Sequence, residues 1–222
     1  MLLLQLPPEI LLCILDELGH EFFSKDLSRL TISRLWYDLA WKVFSRDLPF
    51  TAWPLIKFTK NETAFLGCQP YIASVGIDLG CPEWWNTTPS PPMKKIYVSL
   101  INSASEVLVG MLKRCQSLRC LKIKVGPDYP ELDIERPAYL MVKPLAGLLA
   151  IQNLTSVVFD TAGCYPFDQP ADSDLHICCA LSSSLRSLRR LHCRTDTICE
   201  CLLGPAIQEY VTPRVTLAIL KA

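Results

Sequence analysis

The sequence predicts a mixed α/β chain, in which a few short helices precede a longer, irregular alternation of strands and helices. Three observations lead there. Residues 4–48 repeat apolar side chains at helical spacing between helix start and stop signals. Beyond Pro49 the period changes to short runs of the form apolar-x-x-apolar-x-apolar, which recur along the chain. The last three of these runs each follow a helix-like segment, at residues 104–115, 142–151 and 175–185.

The helical part opens with Pro7 and Pro8, suited to a first helical turn, where a missing N–H costs nothing; Glu9 complements the positive end of the helix dipole. Ile10, Leu11, Ile14, Leu15 and Leu18 then form one apolar face, and Gly19 is placed to end the helix. Ser24 is the expected cap of a second helix, with Asp26 in its first turn and Leu27, Leu30 and Thr31 on its face. Ser33 is the expected cap of a third, in which Trp36, Leu39, Ala40 and Val43 repeat until Pro49 stops the run. Helices this short bury too little surface to stand alone, so something must cover them.

A boundary is expected near residues 49–54, dividing the chain into 1–50 and 51–222. The second part carries five strand-like runs: Ile72-x-x-Val75-x-Ile77, Met93-x-x-Ile96-x-Val98, Leu118-x-x-Leu121-x-Ile123, Leu154-x-x-Val157-x-Phe159 and Leu188-x-x-Leu191-x-Cys193. Val215, Leu217 and Ile219 alternate as a last strand would. Each strand and helix buries its apolar face by stacking on the next unit in a repeat array; an ordinary α/β sandwich is the alternative for the same pattern. Between the runs, residues 81–92 hold Trp84 and Trp85, residues 126–137 hold Tyr129, and residues 163–170 hold Tyr165 and Phe167. Aromatic side chains on Pro-rich loops either anchor a partner or fold back over strand edges.

Composition excludes several classes of function. Half of the 222 residues are hydrophobic and 20% are charged, with 22 basic residues against 22 acidic ones, which is a globular balance. The absence of net charge and of like-charge blocks offers no field for nucleic acid. No apolar stretch reaches the roughly 18 uninterrupted residues of a membrane span. A mean hydropathy of +0.24 with no net charge predicts that some apolar surface is covered by another protein.

Eleven cysteines and the sequons at Asn61, Asn86 and Asn153 would suit a secreted protein. Against this, the apolar start lacks a preceding Lys or Arg and runs into Pro7-Pro8-Glu9, unlike a signal peptide. An odd cysteine count spread over the chain fits reduced thiols, and the expectation is a cytoplasmic or nuclear protein. His192, Cys193, Cys199 and Cys201 lack zinc-site spacing, and Cys193 falls on a core-facing strand position. No phosphate loop or nucleophile elbow is present, and His20, His176 and His192 are the only histidines. Cys178-Cys179 beside His176 reads as packing, because adjacent helical side chains point apart. No cofactor, metal or catalytic residue is expected.

One segment carries a more specific signal. Leu6-Pro7-Pro8-Glu9-Ile10-Leu11, then Ile14 and Leu18, Asp26-Leu27-Ser28-Arg29-Leu30 and Ser33-Arg34-Leu35-Trp36-Tyr37-Asp38-Leu39-Ala40 follow one another in order. Together they resemble the F-box, which opens with Leu-Pro-x-Glu-Ile-Leu and closes with a Ser/Cys-Arg-x-Trp-x-x-Leu-Ala helix. The linker Gly19-His20-Glu21-Phe22-Phe23 departs from it in being short and apolar. The strand and helix runs beyond resemble a degenerate leucine-rich-repeat array without the Asn that often closes each strand turn. The resemblance implies a three-helix F-box at 1–50 and a repeat-like substrate-recognition region at 51–222. It places Leu6, Pro7, Ile10, Leu11 and Ile14 against a Skp adaptor, with Leu30 and Trp36 completing or supporting that surface. Through Skp the partner is a cullin–RING ubiquitin ligase. A protein substrate would meet the second part, with Trp84, Trp85, Tyr129 and Tyr165 as candidate contacts. The implied role is a non-catalytic substrate adaptor; a Skp-bound scaffold outside ubiquitin transfer and a secreted repeat protein are the alternatives.

Overall fold

The computed structural model describes residues 3–80, 91–126, 141–161, 177–195 and 216–219. It is a mixed α/β structure. After a 3₁₀ turn at Leu3–Gln5 come helix α1 (Pro8–Ser24), a second 3₁₀ turn at Leu27–Leu30, and helix α2 (Arg34–Arg46). Strand β1 (Asp47–Thr51) follows directly, then α3 (Ala52–Thr59), α4 (Glu62–Cys68) and β2 (Ser74–Leu79). The remainder is α5 (Pro91–Leu112), β3 (Cys120–Val125), α6 (Val142–Leu149), β4 (Ser156–Asp160), α7 (Ile177–Ser184), β5 (Arg190–Arg194) and β6 (Thr216–Ile219).

The six strands make one sheet in chain order, and every neighbouring pair is parallel. Crossovers between adjacent parallel strands are right-handed, so a sheet that always steps the same way carries its helices on one face. Packing agrees: α3 lies on α5, α5 on α6, and α6 on α7. Along each strand alternate residues turn toward those helices. Val75, Ile77, Leu79, Leu121, Ile123, Val125, Val157, Phe159, Leu191 and Cys193 are all buried, in one cluster with helical residues such as Ile101, Leu108, Leu145, Leu149 and Leu181. Each such aliphatic side chain contributes about 1.5–3 kcal/mol on burial.

The units join through a repeated backbone contact. The carbonyl of Ala73 accepts the N–H groups of Arg119 (2.8 Å) and Cys120 (3.0 Å). That of Arg119 accepts Thr155 and Ser156 (2.8 and 3.0 Å), and that of Thr155 accepts Arg189 and Arg190 (2.8 and 3.1 Å). Each accepting residue stands just before a strand, so the contact fixes where the next strand begins.

Four of the five strand-like runs hold strands, and Leu217 and Ile219 of the expected last strand lie on β6, Val215 being outside the described residues. Met93-x-x-Ile96-x-Val98 is a correction: it lies in the first half of α5, of which the segment expected at 104–115 is the second half. Three apolar residues so spaced fit a helix as well as a strand, and Pro91-Pro92 is a helix start of the kind seen at Pro7-Pro8. Ser24 is a second correction: it ends α1, its hydroxyl donates to the Glu21 carbonyl (3.1 Å), and Asp26 caps the 3₁₀ turn by accepting from Ser28 N–H (3.0 Å). Pro49, expected to mark a boundary, lies within β1, and Pro54 lies in the first turn of α3. By length and composition Pro92–Leu112 is apolar enough to cross a membrane, yet 56% of that window is buried inside the fold.

Two polar side chains in α5 make opposite predictions. Buried Asn102 donates to the Val98 carbonyl (2.7 Å) and accepts from Met141 N–H (2.7 Å), thereby tying α5 to the start of α6. Asn102→Ala orphans that N–H and is expected to cost about 1–3 kcal/mol in urea unfolding. Ser105 is equally buried, but its hydroxyl has no partner. Ser105→Ala is expected to leave stability unchanged or raise it by about 1 kcal/mol.

Candidate functional site

The N-terminal helices form a small unit with its own interior. Pro8 opens α1, and the backbone leaves helical geometry at Gly19 (φ 67°, ψ −179°), a left-handed conformation that favours glycine, before resuming. This kink lets Phe22 and Phe23 fold back. Ser33 caps α2, accepting from Trp36 N–H (3.2 Å), as its place in the sequence predicts. The Trp36 indole donates to the Arg29 carbonyl (2.6 Å), and Arg29 donates to the Phe22 carbonyl (2.8 Å) while lying 4.4 Å over the Phe22 ring. His20 stacks on Phe44 at 4.8 Å, its Nδ1 2.8 Å from the Phe44 carbonyl oxygen, and Arg46 pairs with Asp16 at 2.8 Å. Leu11, Leu15, Phe23, Leu30, Trp36, Leu39, Ala40 and Val43 are sealed within this unit.

The residues expected to meet a partner divide into two groups. Leu11, Leu30 and Trp36 are 0%, 4% and 3% exposed, which makes them the support of a surface and not the surface itself. Pro7 and Ile10 are exposed, Ile10 at 48%, while Leu6 and Ile14 are half-buried. One helical step of about 100° separates Ile10 from Leu11. The apolar face read from sequence therefore splits: Leu11 and Leu15 turn inward, while Ile10, Ile14 and Leu18 run along the outside. Leu27, Ile32, Leu35 and Tyr37 are also displayed. Leu27, on the face expected of a second α-helix, sits instead in a 3₁₀ turn and is exposed. Trp84, Trp85, Tyr129 and Tyr165 lie outside the described residues.

A second surface lies on the sheet. The strand positions alternating with the core form the sheet face that carries no helices among the described residues. One row across β2 to β5 is Ser74, Cys120, Ser156 and Arg190; the next is Gly76, Lys122, Val158 and His192; the third is Asp78, Lys124, Asp160 and Arg194. Lys124 lies 3.9 Å from Asp78, and Arg194 lies 2.8 Å from Asp160. The sequence signal of this face is the polar half of the alternation, clearest at Lys122 and Lys124 in β3 and at Arg190, His192 and Arg194 in β5.

Other features are chemically quiet. A cleft of about 460 Å³ between α3 and the end of α5 is lined by Thr59, Lys60, Glu62, Val107, Gly110, Met111 and Arg114. Its Arg114 is already paired with Glu62 at 3.4 Å and lies over the Phe65 ring. Among the described residues no cluster of three His, Cys, Asp or Glu could hold a metal ion. Seven cysteines are described, all as free thiols. Burial pushes the thiols of Cys68, Cys115 and Cys193 up to about 11, the opposite of nucleophile activation. In the adjacent pair, Cys178 is buried and Cys179 exposed. No family model matches the chain, and no curated protein shows significant similarity to it.

Two expectations follow from this geometry. Leu11→Ala should destabilise the fold by about 2–5 kcal/mol, whereas Ile10→Ala at the surface should cost much less; paired denaturant titrations measure the contrast. The three raised thiols stay protonated in the fold and ionise first in the unfolded chain. Their contribution to stability is therefore whole below about pH 9 and is lost as pH rises toward about 11. Urea unfolding at about pH 8 and about pH 10.5 should show the decline, and Cys193→Ala should make it smaller.

Proposed function

We propose that the N-terminal helices are an F-box that docks on a Skp adaptor, and that the strand-and-helix body is a degenerate leucine-rich-repeat-like array that holds a target protein. The chain then acts in the cytoplasm or nucleus as the substrate adaptor of a cullin–RING ubiquitin ligase. It performs no chemistry itself; it raises the effective concentration of a target beside the transfer enzyme.

The observation that carries this reading is the divided apolar face of α1. Leu11 and Leu15 satisfy the unit's own core, so Ile10 and Leu18, 48% and 37% exposed, together with Ile14, are left over. An unused aliphatic ridge on a short helix is what a partner's apolar groove accepts. The order of the motif from Leu6 to Ala40 supports the F-box in particular, with Trp36 and Leu30 holding the ridge in place from beneath. For the body, support comes from the chain-order parallel sheet and the contact repeated at Ala73, Arg119 and Thr155, because stacked repeats bury their faces against their nearest neighbours.

The test is co-purification of the full chain with a Skp adaptor. Pro7→Ala combined with Ile10→Asp should weaken capture by roughly tenfold or more, since hot-spot truncations commonly reach that size. The thermal melt should stay near that of wild type, because both positions are at the surface. Full capture by a folded double variant would remove the proposed interface, and no capture of the wild type would remove the proposed partner.

A further inference from the structure

The sheet face that no described helix covers has a charge balance that specifies what it can bind. Its two carboxylates on β2 to β5 are already satisfied: Asp78 faces Lys124 at 3.9 Å, and Asp160 faces Arg194 at 2.8 Å. At the edge, Asp47 of β1 is within 3.5 Å of Arg46. Lys122 and Arg190 are left, both exposed and neither within ion-pair distance of a carboxylate among the described residues. Beside Lys122 stands Gly76, which has no side chain to cover it; beyond Lys122, half-buried Val158 and His192 complete the row. The hydroxyls of Ser74 and Ser156 border the same strip.

We infer that this face binds an extended acidic peptide segment, with Lys122 and Arg190 receiving two of its carboxylates and Val158 lying under its backbone. The two cations sit two strands and one row apart, which places their Cα atoms roughly 12 Å from each other. Carboxylates four residues apart in an extended chain lie on the same side of it and span roughly 13–14 Å, within reach of the two long cationic side chains. The fit is to a short stretch of Glu or Asp, and not to the closely and regularly charged backbone of a nucleic acid, which takes many more cations. The inference rests on the reading of the body as the target-holding part, whose target it describes chemically; it does not depend on which adaptor the helices hold.

The experiment uses the full chain and a fluorescent ten-residue peptide of alternating Glu and Ser, with an alternating Gln and Ser peptide as its uncharged counterpart. Anisotropy should report binding of the Glu peptide that weakens as salt is added, with little binding of the Gln peptide. Lys122→Glu with Arg190→Glu should weaken binding roughly tenfold or more, and Lys122→Gln with Arg190→Gln should weaken it by less. The charge-reversed variant should instead bind an alternating Lys and Ser peptide. Equal binding of the Glu peptide by wild type and charge-reversed chain, equal binding of the Glu and Gln peptides, or tighter binding of an oligonucleotide through the same two residues would each overturn the inference. Skp capture is measured on the same samples. Its loss with peptide binding intact overturns the F-box assignment alone, and lost peptide binding with capture intact overturns this inference alone.

Discussion

The structure hangs on the carbonyl in front of each strand. Ala73, Arg119 and Thr155 each offer one oxygen to two successive N–H groups of the following unit, so the start of every strand from β3 to β5 is pinned to the one before. Register matters greatly in a sheet with one covered face, because a slip of a single residue would exchange the two faces. With the start fixed, Val75, Leu121, Val157 and Leu191 fall in one inward row, and Gly76, Lys122, Val158 and His192 in the outward row beside it. Core and open face are two consequences of the same hydrogen bonds.

The same geometry couples the helical unit to the body. Helix α2 ends at Arg46 and β1 begins at Asp47, with no residue between them. The carbonyl of Arg46 accepts the Ala73 N–H (2.9 Å), and the Trp41 indole reaches the Gly67 carbonyl (3.0 Å) on α4. Trp41 also packs against both hydrophobic clusters. Under the proposed function this junction would be the important one, since an adaptor that works by placement gains from a short and well-packed connection between its two binding surfaces.

How much of this was legible depended on whether local chemistry was unique. Ser33 and Trp36 were readable because a cap followed by a helical apolar period has one interpretation. The pattern from Leu118 to Ile123 was readable because it recurred. Met93 to Val98 is ambiguous because its spacing suits either period, and the Pro91-Pro92 start signal decides it for a helix. β1 failed for a different reason: Pro49 reads as a stop, yet proline is tolerated in an edge strand, and among the described residues β1 pairs only with β2. Of the candidate contacts, Ile10 and Leu11 were inseparable as neighbours on one apolar stripe, because the direction of the core depends on where Phe23 and Trp36 fold. Lys122 and Arg190 were overlooked for a similar reason, since a polar residue in a strand becomes informative only when the partners of its neighbours are known.

The uneven spacing of the units has a physical origin as well. In the turns that lead into β3, β4 and β5 the spacing is constant: Cys115, Leu118 and Cys120 correspond to Ile151, Leu154 and Ser156, and again to Leu185, Leu188 and Arg190. This side holds the buried side chains and the pinning carbonyls, so a change of length there would break the register. The long segments at 81–90, 127–140 and 162–176 instead all leave the end of a strand and precede a helix. The difference in length between units therefore falls outside the turns that set the register. A search for a fixed repeat length misses such an array, whereas alignment on the helix-to-strand turn brings its units into step.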